Sequence, residues 1–246
     1  MPRSTFSNLP EAKRERIAAA AIEEFAEHGY GGASISAIVA RAGIAKGSFY
    51  QYFESKADLF RWLLLDHSAQ RKRRYIEARA TPEIGDFWSQ IADMMLAGIR
   101  FGLDNPRLSR MAAILWHPTA DPALAALLAE FQAIHRRSAG SLLRQGQAAG
   151  HVRDDLDIEV AADFMLAQLM QGLDLAIERR IGVDLISFCA HPELADRFRE
   201  RDQRQVIVAI VDLLRRALGT AKPPIRMDDA ALIDLGRLME GARETR

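Results

Sequence analysis

Apolar residues recur along most of this chain at intervals of three and four, and strict apolar–polar alternation is almost missing. The pattern therefore predicts helices nearly end to end. Ile17, Ala20, Ala21 and Phe25 mark the first helix, which follows Leu9-Pro10 and ends at Gly29. Ile35, Ile38, Val39 and Ala42 mark a short second helix, capped by Ser34 and stopped by Gly43. Lys46 to Tyr52 is long enough for about two turns. Ser55 with Asp58 reads as a capping box that opens a long helix through Trp62 and Leu65 toward Arg79. Thr81-Pro82, Asn105-Pro106 and Asp121-Pro122 each pair a capping residue with a proline at the first helical position. They predict helices over residues 82–103, 106–116 and 122–149. Asp157 opens a helix that ends near Gly182, and a further one is expected over 192–218. Lys222-Pro223-Pro224 is a break, and Asp228 starts a terminal helix over 230–239. The fold class is all-α. Short helices come first and a bundle of longer ones follows, with the helix from Ser55 linking the two.

Four aromatic rings, Phe49, Tyr50, Tyr52 and Phe53, fall within five residues of one another, in a chain that is only 7% aromatic. On a helix, Phe49 and Phe53 share a face and suit packing against the preceding apolar stripe, whereas Tyr50 and Tyr52 point elsewhere. Two short helices joined by a glycine-containing turn are the helix-turn-helix device, whose second helix enters the DNA major groove. Lys46 and Ser48 have the reach for phosphates or base edges, and Gly47 lets the backbone come close. Tyr50 offers a hydroxyl to phosphate and a ring to a thymine methyl. Ser34 and Ser55 stand at helix starts, where free N–H groups attract phosphate. The alternative is that Tyr50 and Tyr52 cover edges of the core.

Net charge is zero over 246 residues, so global basicity does not announce nucleic acid. Residues up to Ala80 carry 13 Lys and Arg against 9 Asp and Glu, a net of +4, and the remainder carries −4. A solvated face explains this as well as a DNA partner does. The single cysteine, Cys189, precludes an intrachain disulfide and fits a reducing compartment. The amino terminus has no apolar signal region, and no uninterrupted apolar run approaches the roughly 18–20 residues that span a bilayer. A cytoplasmic protein without a membrane partner is expected. Gly29-Tyr30-Gly31-Gly32 lacks the strand and Gly-Lys-Ser/Thr of a phosphate loop. The six histidines show no metal-ligand spacing, so neither metal nor cofactor is expected. Asp154, Asp155 and Asp157 suit helix capping better than calcium. An enzymatic reading has nothing to attach to. A helical adaptor binding a protein through its tyrosines is the non-DNA alternative.

The segment GYGGASISAIVARAGIAKGSFYQYFESKADLF, Gly29 to Phe60, closely resembles the DNA-binding domain of the TetR family of bacterial transcriptional regulators. The resemblance extends over about residues 11–71, and GHVRDDLDIEVAA (Gly150 to Ala162) is similar to the entry to that family's dimerisation helices. It implies an N-terminal three-helix DNA-binding domain, 11–71, and an effector-binding and dimerisation domain, 72–246. Ser34, Ile35, Arg41, Ala45, Lys46, Gly47, Ser48, Tyr50, Tyr52 and Lys56 match positions that face the duplex. The recognition helix departs from a base-reading pattern in having almost no Arg, Asn or Gln, which leaves Lys46 as the main polar reader. In the family's logic the second domain holds a small-molecule pocket. Large apolar residues there make Trp88, Met95, Trp116, Phe131, Phe164 and Met165 the candidates, with Met94 and Met170 beside them. The effector is expected to be largely apolar. A homodimer is expected through two stripes, Leu166, Leu169, Leu173 and Ile177, and Val206, Ile207, Ile210 and Leu214. The implied function is a repressor released from a palindromic operator by that effector, with ligand-independent or activating regulation as the alternative.

Overall fold

The computed structural model describes residues 2–78, 86–115 and 121–220. Within them the elements are α1 (Ser4–Ser7), α2 (Glu11–Gly32), α3 (Ile35–Ala42), α4 (Lys46–Tyr52) and α5 (Lys56–Trp62). A π-helical turn, Leu63–His67, leads into α6 (Ser68–Glu77), followed by α7 (Phe87–Asp104), α8 (Pro106–Ala113) and α9 (Pro122–Ala148). Next come α10 (Ile158–Ala167), a second π-helical turn (Gln168–Gly172), α11 (Leu173–Ile181), α12 (Leu185–Ala190), a 3-10 turn (Pro192–Arg197) and α13 (Glu200–Leu218). The chain is all-α, as its periodicity requires. The expected helix start at Thr81-Pro82, the break at Lys222-Pro223-Pro224 and the terminal helix after Asp228 lie outside the described residues.

Contacts divide the chain into two compact units: residues 1–79 with 101–131 and 189–191, and residues 80–100 with 132–188 and 192–246. The core of the first joins Ile17, Ala21 and Phe25 of α2 to Ile38, Val39 and Ala42 of α3, Phe49 of α4, and Leu59 and Phe60 of α5. Gly29 takes φ 65°, which ends the regular run of α2 where the sequence places it. Gly43 takes the left-handed conformation, φ 63° and ψ 42°, and its successor's N–H donates to Val39 O at 3.0 Å. A side chain at 43 would be strained there, so the turn between α3 and α4 depends on glycine. The Ser55 cap forms: its Oγ accepts from the Asp58 N–H at 3.1 Å, and Asp58 Oδ2 accepts from the Glu54 N–H at 3.2 Å.

Two features of this unit exceed the sequence reading. Helix α1 seats Phe6 against Phe53 and Trp62, with ring centroids 4.7 and 4.8 Å apart. The long helix from Ser55 is interrupted by the π turn at 63–67, around the buried Leu63, Leu64 and His67. Burial pushes the His67 imidazole below its ordinary pKa.

In the second unit, Asp157 caps α10 by accepting from the Glu159 and Val160 N–H groups at 2.9 and 3.2 Å. The Arg153 N–H donates to Leu218 O at 2.9 Å, and Val152 bridges to Gly219, so the end of α13 is pinned beside the start of α10. The stretch Ile158–Ile181 is long and apolar enough to cross a membrane by length and composition, with a third of its most apolar window buried. A search for uninterrupted apolar runs misses it because Asp163 and Asp174 break the run.

Candidate nucleic-acid interface

Helix α2 holds α3 at both ends. The carboxylate of Glu24, buried in the unit, accepts from the Ser34 N–H at 3.0 Å at the start of α3. The Arg16 guanidinium donates to Ala42 O at 2.9 Å at its other end. Negative charge at a helix N-terminus and positive charge at the C-terminus both complement the macrodipole, so these contacts fix α3 and orient the turn to α4. Neither residue was singled out in the sequence. A short helix with no charged group of its own at the start and an acid and a base eight apart on the preceding helix was the signal.

Helix α4 then divides by face. Phe49 on α4 and Phe53, the extended residue that closes it, are both fully buried. Ala45, Lys46 and Gly47 are exposed, Ser48 is half-buried, and Tyr50 is 47% exposed with its ring edge-on to Phe49 at 5.2 Å. A Cβ added at Gly47 would meet nothing within 4 Å, so the protein's own packing does not need glycine there. Ser34 is exposed and Ile35 half-buried at the start of α3.

Three expected contacts stand differently. Tyr52 is only 6% exposed: Phe6 lies against its ring at 5.8 Å, and its carbonyl accepts from the Arg3 N–H at 2.9 Å. Its role is to cover the core edge, the option the sequence left open. Arg41 is exposed, but its guanidinium is 3.1 Å from Glu27 and 4.0 Å from Glu24. The Arg41 hydrogen bond holds the Glu27 carboxyl below its usual range. Lys56 turns inward, where its ammonium donates to the carbonyls of Tyr30 at 2.6 Å, Ala33 at 3.0 Å and Gly31 at 3.3 Å. It also lies 4.8 Å over the Tyr30 ring. Three donors are thus spent on closing the end of α2, so Lys56 positions the interface. Lys56→Met is expected to lower thermal stability by about 1–3 kcal/mol, the range for a lost charge-assisted bond, while leaving the salt dependence of DNA binding unchanged. A phosphate contact would show the reverse, a salt slope reduced by about one in fluorescence anisotropy titrations.

Glu24, Glu27 and His28 place ligand-type atoms within 4.8 Å of one another. The Arg41 guanidinium occupies the carboxylates' outer side and Ser34 the inner, which leaves this a hydrogen-bonded ion cluster.

The apolar residues chosen as effector contacts fall in both units. Trp88 and Met165 are buried in the second unit and Met95 is half-buried there, whereas Phe131 packs on the core of the first. Trp116 lies outside the described residues. Phe164 is 42% exposed and is withdrawn as a pocket residue, because its face of α10 is the outer one.

The stripes chosen for dimerisation are also corrected. Leu169, Leu173, Ile177, Val206, Ile207 and Leu214 are buried within the chain itself, and Leu166 and Ile210 are half-buried. The apolar side chains left exposed on the same helices are Val160 at 66%, Phe164, Met170, Leu175 and, on α13, Leu213 at 66%. Both seams of these helices are apolar, and periodicity alone cannot tell the inner from the outer.

Residues 17–63 match the family described as bacterial regulatory proteins, tetR family. The probable acrEF/envCD operon repressor of Escherichia coli (strain K12) is 26% identical over 151 residues, covering 60% of this chain and 68% of that protein. The HTH-type transcriptional repressor DhaR of Mycobacterium sp. (strain GP1) is 27% identical over 175 residues, covering 68% of this chain and 83% of its own. The crystal structure of a TetR family transcriptional regulator from Chloroflexus aurantiacus J-10-FL superposes with a TM-score of 0.57 at 29% identity, over 90% of this chain and all of the other.

Proposed function

The chain belongs to the TetR family of DNA-binding transcriptional regulators, and from that premise we propose a non-enzymatic cytoplasmic repressor that binds a palindromic operator as a homodimer. Residues 11–71 read the duplex and residues 72–246 hold the effector and the dimer contact. The observation that carries the reading is the division of α4. Phe49 and Phe53 anchor one face, and the opposite face presents Lys46, Gly47, Ser48 and Tyr50. The open space at Gly47 supports close approach of a DNA backbone, since nothing inside the protein asks for glycine there. Polar reach comes from Lys46, Ser48 and the Tyr50 hydroxyl, with Gln51 exposed beside them, so methyl contacts and DNA shape carry much of the specificity.

Dimerisation is assigned to the outer faces of α10–α11 and α13, where Val160, Phe164, Leu175 and Leu213 lie exposed. Large apolar side chains left exposed on these helices support an interaction surface. The effector is a small, largely apolar molecule held by residues such as Trp88, Met95 and Met165. It acts by changing the separation of two reading heads that must meet major grooves about 34 Å apart. Linkage supplies the test. Once a binding compound is found by thermal-shift screening, its affinity is measured by calorimetry with and without operator DNA. An effector that weakens operator binding by some factor must itself bind more weakly to the DNA complex by the same factor. Equal affinities would contradict effector control.

A further inference from the structure

A cavity of about 280 Å³ lies within the first unit, walled by Tyr30, Phe60, Leu124 and Leu127, with Ala123 and Ala126 of α9 exposed on its rim. That volume is near the lower end, about 300 Å³, of small-molecule sites. None of its lining residues is among the effector candidates named from the sequence, so it is a different place from the pocket proposed above. Its walls are aliphatic and aromatic, and its edge is formed by Asp58, Arg61 and Glu130.

The edge is charged but internally matched. Arg61 Nε donates to Glu130 Oε2 at 2.8 Å and Nη2 donates to Oε1. This pairing raises the guanidinium's pKa, so it stays charged. Asp58 accepts from the Glu54 N–H. Burial, and then the Asp121 charge, raise the pKa of the Tyr30 hydroxyl, so that wall is a neutral phenol. A charged ligand would lose its water here and find no free counter-ion. The remaining guanidinium nitrogen, Arg61 Nη1, is shut off from solvent and lies 4.0 Å from the Asp66 carboxylate, so it too offers a ligand no contact.

We infer that this cavity is a second ligand site, for a small neutral aromatic molecule. Its position gives it leverage. Ala57, Asp58, Phe60 and Arg61 all lie on α5, which follows the recognition helix after three residues, and Asp58 belongs to the cap that starts α5. A ligand here bears directly on the element that seats α4.

The test uses the full chain and three probes of one shape: 1-naphthol, naphthalene and 1-naphthoate. Methyl NMR should show 1-naphthol shifting Leu124 and Leu127 in a saturable way. Naphthalene should bind about as well as 1-naphthol, and the charged 1-naphthoate about tenfold more weakly or worse, since its carboxylate loses water and finds no free counter-ion. Ala126→Trp, at an exposed position on the rim, should abolish the shifts, and Ala123→Phe serves the same purpose if the first variant loses helicity. Shifts confined to Met95 and Met165, persistence of binding in both rim variants, or no binding at all would overturn the inference. The first of those outcomes would leave the effector reading intact, and a failure of operator binding would leave this site untouched.

Discussion

Phe53→Ala should unfold the DNA-reading unit at temperatures where the wild-type chain is native, and abolish operator binding with it. The ring is fully buried and touches three others, with centroids 4.7 Å from Phe6, 5.7 Å from Phe49 and 5.7 Å from Trp62. Removing a buried phenylalanine costs about 3–5 kcal/mol through lost transfer energy and the cavity left behind. Against a total stability of about 5–15 kcal/mol, that is a large fraction. Position makes it worse, because Phe53 stands where α4 meets the Ser55 cap and α1 closes over both. Hydrogen exchange read by mass spectrometry should show loss of protection across residues 11–62. Tyr50→Ala, three residues away on the exposed face, should leave the melting curve within about 0.5 kcal/mol. If both variants melt alike, the division of α4 into a packed face and a free face is wrong.

Leu213→Arg should convert the proposed dimer to monomers. Leu213 is 66% exposed in the single chain, and Val160, Phe164 and Leu175 leave apolar surface on the neighbouring helices. A twofold interface uses each residue twice. Burying one leucine contributes about 1.5–3 kcal/mol, so two copies contribute about 3–6 kcal/mol. The dissociation constant should then rise roughly 150- to 20,000-fold, before the cost of burying an arginine is added. Sedimentation velocity across a concentration series reads this directly. Ile210→Arg is a poorer choice than the sequence suggests, since the Ile210 side chain lies about 3.8 Å from a Cβ built at Gly172 of the same chain. Its replacement would disturb folding along with assembly. An undiminished dimer in Leu213→Arg would place the interface on another surface.

The helices, the Gly43 turn, the Ser55–Asp58 cap and the buried Phe49–Phe53 pair were legible because each is a local device. Spacing, a left-handed residue or a capping side chain specifies it within a few positions. What escaped the sequence was set by distant partners. Tyr52 is buried because α1 reaches it, and a four-residue helix leaves no periodic trace. Lys56 looks like a free surface cation until the chain brings the Tyr30, Gly31 and Ala33 carbonyls to it from more than twenty residues away. Glu24 and Arg16 read as ordinary polar positions on α2 until α3 is laid between them. The inner and outer seams of α10–α11 and α13 are both apolar, so choosing between them required the packed bundle. Phe164, one of the effector candidates, fell to the same ambiguity.

The central claim is that α4 reads DNA through Lys46 and Tyr50 while Phe49 and Phe53 hold it in place. Its most direct test is equilibrium binding of wild type, Lys46→Ala and Tyr50→Ala to the duplex that the wild-type protein enriches from a random pool. Each substitution should cost about 1–3 kcal/mol, a loss of roughly 5- to 150-fold, with circular dichroism and dimer mass unchanged. Lys46→Ala should also lower the salt slope by about one if its ammonium lies on a phosphate. Enrichment of no duplex, or wild-type affinity in both variants, would contradict the account.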